Sequence, residues 1–248
     1  MSRDEIRRAQ PADAGGRPRG LIVAIDGPSG TGKSTISRLV AQNQGLAYLD
    51  TGAMYRALTW WCLHQGIDLS DHEAVADGAA IMPLRINTDP ANPTFAVGDH
   101  DITGDIRSER ISTRVSEVAT NLKVRPLLQE QQRRAIEAEV MPGGFSQGRG
   151  IVAEGRDITT VVAPQAQVRV LLVADEHVRL ARRSNELHGR ADAQALAATR
   201  DQVVRRDAQD GTVSNFTTAA AGVSTVDTSQ MTVDQAVAAV LELVEAAR

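Results

Sequence analysis

Residues 27–34 read GPSGTGKS, which fits the pattern G-x-x-x-x-G-K-[ST] without a mismatch. The apolar residues 21–25 directly before this stretch predict a buried strand, and Ile36, Leu39 and Val40 after it have helical spacing. The required residue types occur at these offsets by chance in on the order of 1% of chains this long. A strand, a glycine-rich loop and a helix in this order therefore predict a phosphate-binding loop inside an α/β fold.

Each residue type in this loop has a physical use. Gly27, Gly30 and Gly32 let the backbone curl until successive N–H groups point at phosphate oxygens. Lys33 is expected to reach the β- and γ-phosphates of a nucleotide, and the hydroxyl of Ser34 is expected to be a ligand of Mg²⁺. The helix that begins near Lys33 directs its positive end at the same anion. The predicted nucleotide-binding residues of the loop are Gly27, Pro28, Ser29, Gly30, Thr31, Gly32, Lys33, Ser34 and Thr35.

The rest of the chain alternates between strand and helix patterns, which predicts parallel strands joined by helical crossovers. Further strands are predicted at residues 47–49, 151–153, 168–173 and 225–226. Helices are predicted at residues 33–44, 53–64, 111–119, 124–140, 176–187, 193–206 and 232–247. Short β segments broken by Asn, Pro and Gly at residues 84–102 predict an antiparallel insert.

Composition restricts the class of protein. A formal charge of −4 gives no basic field for nucleic acid, so none is expected as a partner. No apolar run approaches the roughly 18 residues of a membrane span. Residues 1–20 have charges and glycines but no apolar core, so we expect a flexible tail rather than a secretory signal. A single cysteine, Cys62, suits a reducing compartment, and the cytoplasm is the expected location.

The motifs that are missing from the sequence narrow the choice among phosphate-loop proteins. The sequence has no N-K-x-D motif of a GTPase and no apolar strand that ends in Asp-Glu, as in motor ATPases. The C-terminal half is rich in arginine, and arginines neutralise two phosphate-bearing ligands that lie side by side. These features favour a small-molecule kinase.

Three further segments carry a resemblance to a known family. Residues 50–56 read DTGAMYR, residues 154–158 read EGRDI, and residues 205–207 read RRD with Asp210 following. Together with the phosphate loop, these segments resemble bacterial cytidylate kinases in order and spacing, from about residue 21 to the C-terminus. The resemblance implies a three-layer α/β/α sandwich with a parallel central sheet, in one nucleoside monophosphate kinase domain at residues 21–248. It also implies an acceptor-binding insert at about residues 84–119 and a mobile lid at about residues 176–190.

By this resemblance, Lys33, Arg156 and Arg183 are catalytic, and Arg179 binds ATP from the lid. Arg56 and Arg156 hold the phosphate of the acceptor, and a guanidinium suits that task because it binds phosphate in a bidentate manner. The acceptor residues implied by the resemblance are Thr51, Tyr55, Arg56, Ser116, Arg125, Arg156, Asp157, Arg206 and Asp210. Tyr55 has an equal alternative as a core residue, and the arginines near residues 179–190 have an alternative as a solvated helix face.

The sequence departs from the family at several positions. Val213 stands where the family usually has an acceptor-binding arginine, and residues 214–218 lack the usual Pro-Leu ending. Thr159 replaces a usual glycine, and Ala163 and Gln165 replace a usual Phe and Asp. We interpret these changes as affecting the acceptor end and leaving the ATP end intact.

The resemblance implies that a monomeric enzyme transfers the γ-phosphate of ATP, with Mg²⁺, to CMP or dCMP in pyrimidine metabolism. Two alternatives stay open at this stage. The acceptor could be another nucleotide or a small metabolite, or the chain could be a nucleotide-binding regulatory protein without turnover.

Overall fold

The computed structural model describes residues 20–189 and 192–248. The strands are β1 (Leu21–Asp26), β2 (Ala47–Asp50), β3 (Leu84–Asn87), β4 (Thr94–Val97), β5 (His100–Asp101), β6 (Gly150–Gly155), β7 (Val168–Val173) and β8 (Ser224–Asp227). The α-helices are α1 (Lys33–Gln44), α2 (Thr51–His64), α3 (His72–Ile81), α4 (Glu109–Ser112), α5 (Val115–Ala119), α6 (Val124–Val140), α7 (Glu176–His188), α8 (Ala193–Gly211) and α9 (Val233–Ala246).

The central sheet of the described residues is parallel and has the strand order β2-β6-β1-β7-β8. Side chains alternate along β1, so that Val23 and Ile25 enter one apolar core while Ala24 enters the other. Helices α1 and α9 cover the first face, and helices α2 and α6 cover the second. The predicted three-layer α/β/α sandwich is therefore confirmed.

The predicted antiparallel insert is present as the sheet β3-β4-β5. Its buried residues Phe95, Val97 and Ile102 belong to the same core as Ala24 of β1. The insert is therefore packed onto the central sheet through a shared apolar core.

The helices of the structure differ from the prediction in two regions, residues 72–81 and residues 109–119. Residues 111–119 form not one helix but two, α4 and α5, which are separated at Thr113 and Arg114. Helix α3 was not predicted, because its sequence HEAVADGAAI includes a glycine and has little apolar periodicity. The signal that could have identified it is Asp71, whose side chain accepts from the backbone N–H groups of Glu73 and Ala74 and caps the helix.

The predicted lid corresponds to α7 and to the turn that follows it. Residue 190, the last of the predicted lid, lies outside the described residues, as do residues 1–19 of the predicted tail. Helix α7 packs against α8, which also contacts α5 and carries the segment of residues 205–210. Among the described residues, no helix has the length and apolar character needed to cross a membrane.

Candidate active site

The phosphate loop has the curled backbone that the sequence predicts. Gly30 and Gly32 have φ angles of 80° and 88°, in the left-handed region that favours glycine. A Cβ at Gly27 would lie 2.2 Å from the carbonyl oxygen of Leu172, and one at Gly30 would lie 2.4 Å from that of Arg179. Both glycines are therefore required by close backbone approach as well as by conformation.

Lys33 lies inside the loop and donates from Nζ to the carbonyl oxygen of Pro28 at 2.8 Å. Burial lowers the pKa of Lys33 to about 8, partly against the influence of the Glu154 carboxylate. Thr31 also donates to the carbonyl oxygen of Pro28, at 3.0 Å, so its side chain braces the loop from within. Ser34 and Thr35, in contrast, are exposed and line the cleft in front of the loop.

Glu154, at the end of β6, is a site residue that sequence analysis did not single out. It is buried and accepts from the hydroxyl of Tyr48 at 2.8 Å, and the nearby Ser34 hydroxyl lowers its pKa. Burial and the nearby Asp50 raise the pKa of Glu154, while Lys33 opposes this. Its position at the carboxyl end of a strand beside the phosphate loop is the signal that could have identified it.

The loop opens into a cleft of about 890 Å³. Residues of the insert, of β6, of α7 and of the segment after β8 complete its wall. The cationic side chains along this wall are those of Lys33, Arg38, Arg56, Arg107, Arg156, Arg182, Arg183 and Arg206. Because Asp50 and Glu154 are the only acidic side chains among the described residues that line the cleft, the cleft favours a strongly anionic ligand.

Arg56 is oriented by Asp50, which forms the N-terminal cap of α2. The side chain of Asp50 accepts from the backbone N–H of Ala53 at 2.8 Å and from Nη2 of Arg56 at 2.7 Å. Burial alone would raise the pKa of Asp50, but the guanidinium groups of Arg56 and Arg107 outweigh it and lower that pKa. A charged Asp50 therefore holds Arg56 at the edge of the cleft.

Arg156 follows β6 and connects the phosphate loop with α8. Its Nη2 donates to Oγ of Ser29 at 2.8 Å, and its Nη1 lies 2.9 Å from Oδ1 of Asp207. Its Nε lies 3.2 Å from Oδ2 of Asp210. Asp210 also lies 3.7 Å from Nε of Arg206, which lines the cleft beside Arg156.

The arginines of α7 are placed differently from one another. Arg179 donates to the carbonyl oxygen of Ser29 at 2.9 Å and pairs with Asp207 at 2.7 Å, so it contacts the outside of the loop. Arg183 lines the cleft, as does Arg182, which donates to Thr228 at 3.0 Å. The alternative of a solvated helix face is thus wrong for Arg179 and Arg182, whose guanidinium groups are held by other parts of the chain.

The remaining predicted acceptor residues form a polar network behind Arg156. Asp157 accepts from Nη2 of Arg125 at 2.6 Å and from Nε2 of Gln129 at 2.7 Å. Ser116 donates to Asp210 at 2.9 Å. Among the described residues that line the cleft, none belongs to the set Thr51, Tyr55, Ser116, Arg125, Asp157 and Asp210.

Thr51 and Tyr55 have contacts that fit structural roles. The hydroxyl of Thr51 donates to the carbonyl oxygen of Glu154 at 2.7 Å, which ties the start of α2 to the end of β6. Tyr55 belongs to the apolar core next to the insert, and burial raises the pKa of its hydroxyl. The sequence-based alternative of Tyr55 as a core residue therefore agrees with its packing.

Thr159 contacts the residue that ends β1 and precedes the phosphate loop. Its hydroxyl and its backbone N–H donate to Oδ2 of Asp26, at 2.7 Å and 2.8 Å. Asp26 directly precedes Gly27, so this contact lies at the donor end of the site. An effect of this departure on the acceptor end therefore stays a prediction, while its side chain contacts the donor end.

A parallel α/β sandwich with a glycine-rich loop, an enclosed lysine and an arginine-lined cleft defines a P-loop nucleotide kinase. The chain belongs to the cytidylate kinase family, whose profile matches residues 23–246. It is 43% identical to a cytidylate kinase of Streptomyces griseus, over 92% of this chain and 94% of that relative. It is 45% identical to a cytidylate kinase of Cutibacterium acnes, over 90% of this chain and 96% of that relative. It is also 40% identical to a cytidylate kinase of Lactiplantibacillus plantarum, over 90% of this chain and 94% of that relative.

Proposed function

We propose that this enzyme transfers the γ-phosphate of ATP to CMP or dCMP and releases ADP and CDP or dCDP. The observation that carries the proposal is one cleft of about 890 Å³ in which the phosphate loop faces Arg56 and Arg156. A nucleoside triphosphate and a nucleoside monophosphate are two anions, and a wall of guanidinium groups around one lysine suits both. Family membership identifies cytosine as the base of the acceptor.

On the donor side, the loop from Gly27 to Thr35 binds the ATP phosphates in this proposal. Lys33 exchanges its bond to Pro28 for the β- and γ-phosphates. Beyond the loop, the cleft continues past Met231 and Val233, whose apolar side chains fit the face of adenine. Val233 is 48% exposed, although it is apolar, and a bound base would cover it.

Ser34 and the nearby Glu154 are suited to bind a magnesium ion that enters the site with ATP. The Ser34 hydroxyl is exposed in the cleft, and the carboxylate of Glu154 is within hydrogen-bonding reach of it. Mg²⁺ prefers oxygen ligands and keeps several waters, so one hydroxyl and one nearby carboxylate are enough when phosphates supply the rest. A bound Mg²⁺ would neutralise negative charge on the phosphates of ATP there.

On the acceptor side, Arg56 and Arg156 hold the phosphate, and Arg206 with Asp210 contacts the ribose. By the family resemblance, Asp157 accepts from the exocyclic amine of cytosine, and Thr51, Ser116 and Arg125 surround the base. Because none of these residues lines the cleft, the base must reach past the cleft wall to contact them. The acceptor oxygen is already anionic, so the reaction needs no general base. Catalysis then consists of positioning and charge neutralisation by Lys33 and the converging arginines.

Helix α7 acts as the lid over the donor phosphates in this proposal. The backbone of Arg179 lies against Gly30, while Arg182 and Arg183 line the cleft. Closure of such a segment excludes water and strengthens the charge interactions inside. Arg183 is the lid residue that we place nearest the transferred phosphate, and Arg179 holds the outside of the loop.

The test is an ADP-release assay with Mg²⁺ and ATP across a panel of acceptors, which includes CMP, dCMP, UMP, AMP and GMP. We expect CMP and dCMP to give the highest kcat/KM. Preference for another acceptor would show a different kinase, and ATP binding without ADP release would show a regulatory protein. Lys33→Ala is expected to lower kcat by at least about 100-fold, because a charge-stabilising donor is lost.

Lys123→Ala is the matched control for this variant. Lys123 is also a lysine, but it is 54% exposed and pairs with Glu73 on the surface. We expect its removal to change kcat by less than twofold, since exposed ion pairs contribute little. A Lys33→Ala enzyme within twofold of wild type would show that Lys33 does not contact the transferred phosphate.

We also propose that the enzyme works as a monomer in the cytoplasm. Light scattering after size exclusion is expected to give one chain of 26.5 kDa. Fractionation of cells is expected to place the activity in the cytoplasmic extract. A mass of two or more chains would contradict the first expectation.

A further inference from the structure

The guanidinium group of Arg156 is held along its edge by partners from distant parts of the chain. Ser29 accepts from Nη2 at 2.8 Å, while Asp207 and Asp210 lie 2.9 Å from Nη1 and 3.2 Å from Nε. A guanidinium donates only in its own plane. These contacts therefore fix the guanidinium along its edge, while the two flat faces of the group need a separate contact.

Phe216 covers one face of this group. The centre of its ring lies 4.4 Å from Cζ of Arg156. The negative face of an aromatic ring attracts a cation and restricts the tilt of a planar guanidinium without competing for its N–H groups. The ring can thus hold Arg156 in place without taking up any N–H group of the guanidinium.

Phe216 is buried although it packs into neither of the two apolar cores described above. Phe216 is 1% exposed, yet it belongs to neither apolar core of the described residues. It lies in the segment between α8 and β8, outside regular structure. A fully buried ring at such a place, seated on a charged group, indicates a role in holding that group.

A second residue of the same segment contacts a second arginine of the site. Nη2 of Arg125 donates to Oγ of Ser214 at 2.9 Å, and the same nitrogen donates to Asp157 at 2.6 Å. Ser214 and Phe216 therefore each hold one of the two arginines that flank Asp157 in the site. Val213, directly before them, brings no charge of its own.

We propose that residues 214–216 form a positioning element, in which Phe216 orients Arg156 and Ser214 orients Arg125 for the acceptor. This inference rests on the proposed function, because it assigns the two arginines to the acceptor nucleotide. Neither Phe216 nor Ser214 is required to touch the substrate. Both act through the guanidinium groups that they hold.

The test measures kcat, KM for CMP and the dissociation constant of ATP for Phe216→Leu, Phe216→Tyr and Ser214→Ala. Phe216→Leu keeps an apolar side chain but removes the ring, and we expect kcat/KM for CMP to fall about tenfold. Phe216→Tyr keeps the ring and is expected to retain at least about a third of wild-type kcat/KM. Ser214→Ala is expected to raise KM for CMP about threefold with little change in kcat. ATP binding is expected to stay within about twofold of wild type in all three variants.

Two controls separate positioning from loss of stability. Phe145→Leu makes the same change at a ring that is 43% exposed and away from both arginines, and it is expected to leave the kinetics unchanged. Val244→Ala removes buried groups from the core under α9, and it is expected to lower stability without raising KM for CMP. A fall in kcat/KM for CMP in either control as large as in Phe216→Leu would overturn the inference.

A double-mutant cycle with Arg156→Lys decides the matter, since lysine lacks the planar group that stacks on the ring. We expect Phe216→Leu to reduce kcat/KM about tenfold with Arg156 present and less than twofold with lysine there. Equal losses in both backgrounds would overturn the inference even though the proposed function stood. A wild-type protein that phosphorylates no acceptor would overturn both.

Discussion

Replacing Thr159 by valine tests how the phosphate loop is tied to the strand end that carries Arg156. The carboxylate of Asp26 accepts from the backbone N–H groups of Ile158 and Thr159, at 3.0 Å and 2.8 Å, and from the Thr159 hydroxyl at 2.7 Å. Asp26 ends β1, and Gly27 follows it. One buried carboxylate therefore connects the loop to the segment directly after Arg156.

The expected loss of stability follows from the contacts that valine keeps at this position. Valine has nearly the shape of threonine, so the substitution leaves no cavity and removes only one hydrogen bond to a buried carboxylate. Such bonds to charged groups contribute roughly 1.5–3 kcal/mol. Because two backbone donors stay with Asp26, we expect a loss near the middle of this range, about 2 kcal/mol in the free energy of unfolding at neutral pH.

The pH dependence has a definite sign. Burial raises the pKa of Asp26 above its ordinary value of 3.8, against the hydrogen bonds of Thr159 that lower it. The stability contributed by this group is therefore fully present below pH 3.8 and is lost as the pH rises through the raised pKa. Without the hydroxyl, the pKa of Asp26 rises further, so Thr159→Val should cost most at neutral pH and less in acid.

The assay is urea unfolding at pH 7.5 and pH 5.5, followed by tryptophan fluorescence. Thr160→Val is the matched control, because Thr160 is the exposed neighbour and its change should cost less than about 0.5 kcal/mol. Thr159→Ser should recover most of the loss. A difference below about 0.5 kcal/mol between the two valine variants at pH 7.5, or a larger loss at pH 5.5 than at pH 7.5, would refute the reasoning.

Three further outcomes are expected. The pKa of Lys33 is about 8, and bound phosphates should raise it, so ATP binding at pH 8 should take up about half a proton. Calorimetry in buffers of different ionisation enthalpy measures this proton uptake. No uptake between pH 7 and 9 would contradict the expectation. Glu154→Gln should raise the Mg²⁺ concentration that gives half-maximal activity about tenfold, while KM for CMP stays within twofold of wild type. An unchanged Mg²⁺ requirement would show that Glu154 does not contribute to the metal site. Arg125→Met leaves the buried carboxylate of Asp157 without its cation, so urea unfolding should show a free energy of unfolding lower by about 3–5 kcal/mol. Adding Asp157→Asn should restore part of this stability. Additive losses in the double variant would argue against a coupled pair.

Local patterns in the sequence were sufficient to predict the architecture. A loop pattern between a strand and a helix needs only neighbouring residues, and so does the apolar spacing that predicted α6 at residues 124–140. Periodicity did less well at residues 111–119, where α4 and α5 are each too short for a repeat to show. Helix α3 was missed because its evidence lies in one capping aspartate rather than in an apolar stripe.

The sequence by itself determined which residues could bind phosphate, because glycines, a lysine and a serine at fixed offsets allow few other uses. Only the tertiary structure decided how the arginines are held, since each depends on a partner far along the chain. Asp207 reaches Arg156, and Phe216 covers it, across more than fifty residues that no local pattern connects. Burial and charge pairing are properties of the packed chain, and they set the lowered pKa of Lys33 and the contact between Thr159 and Asp26.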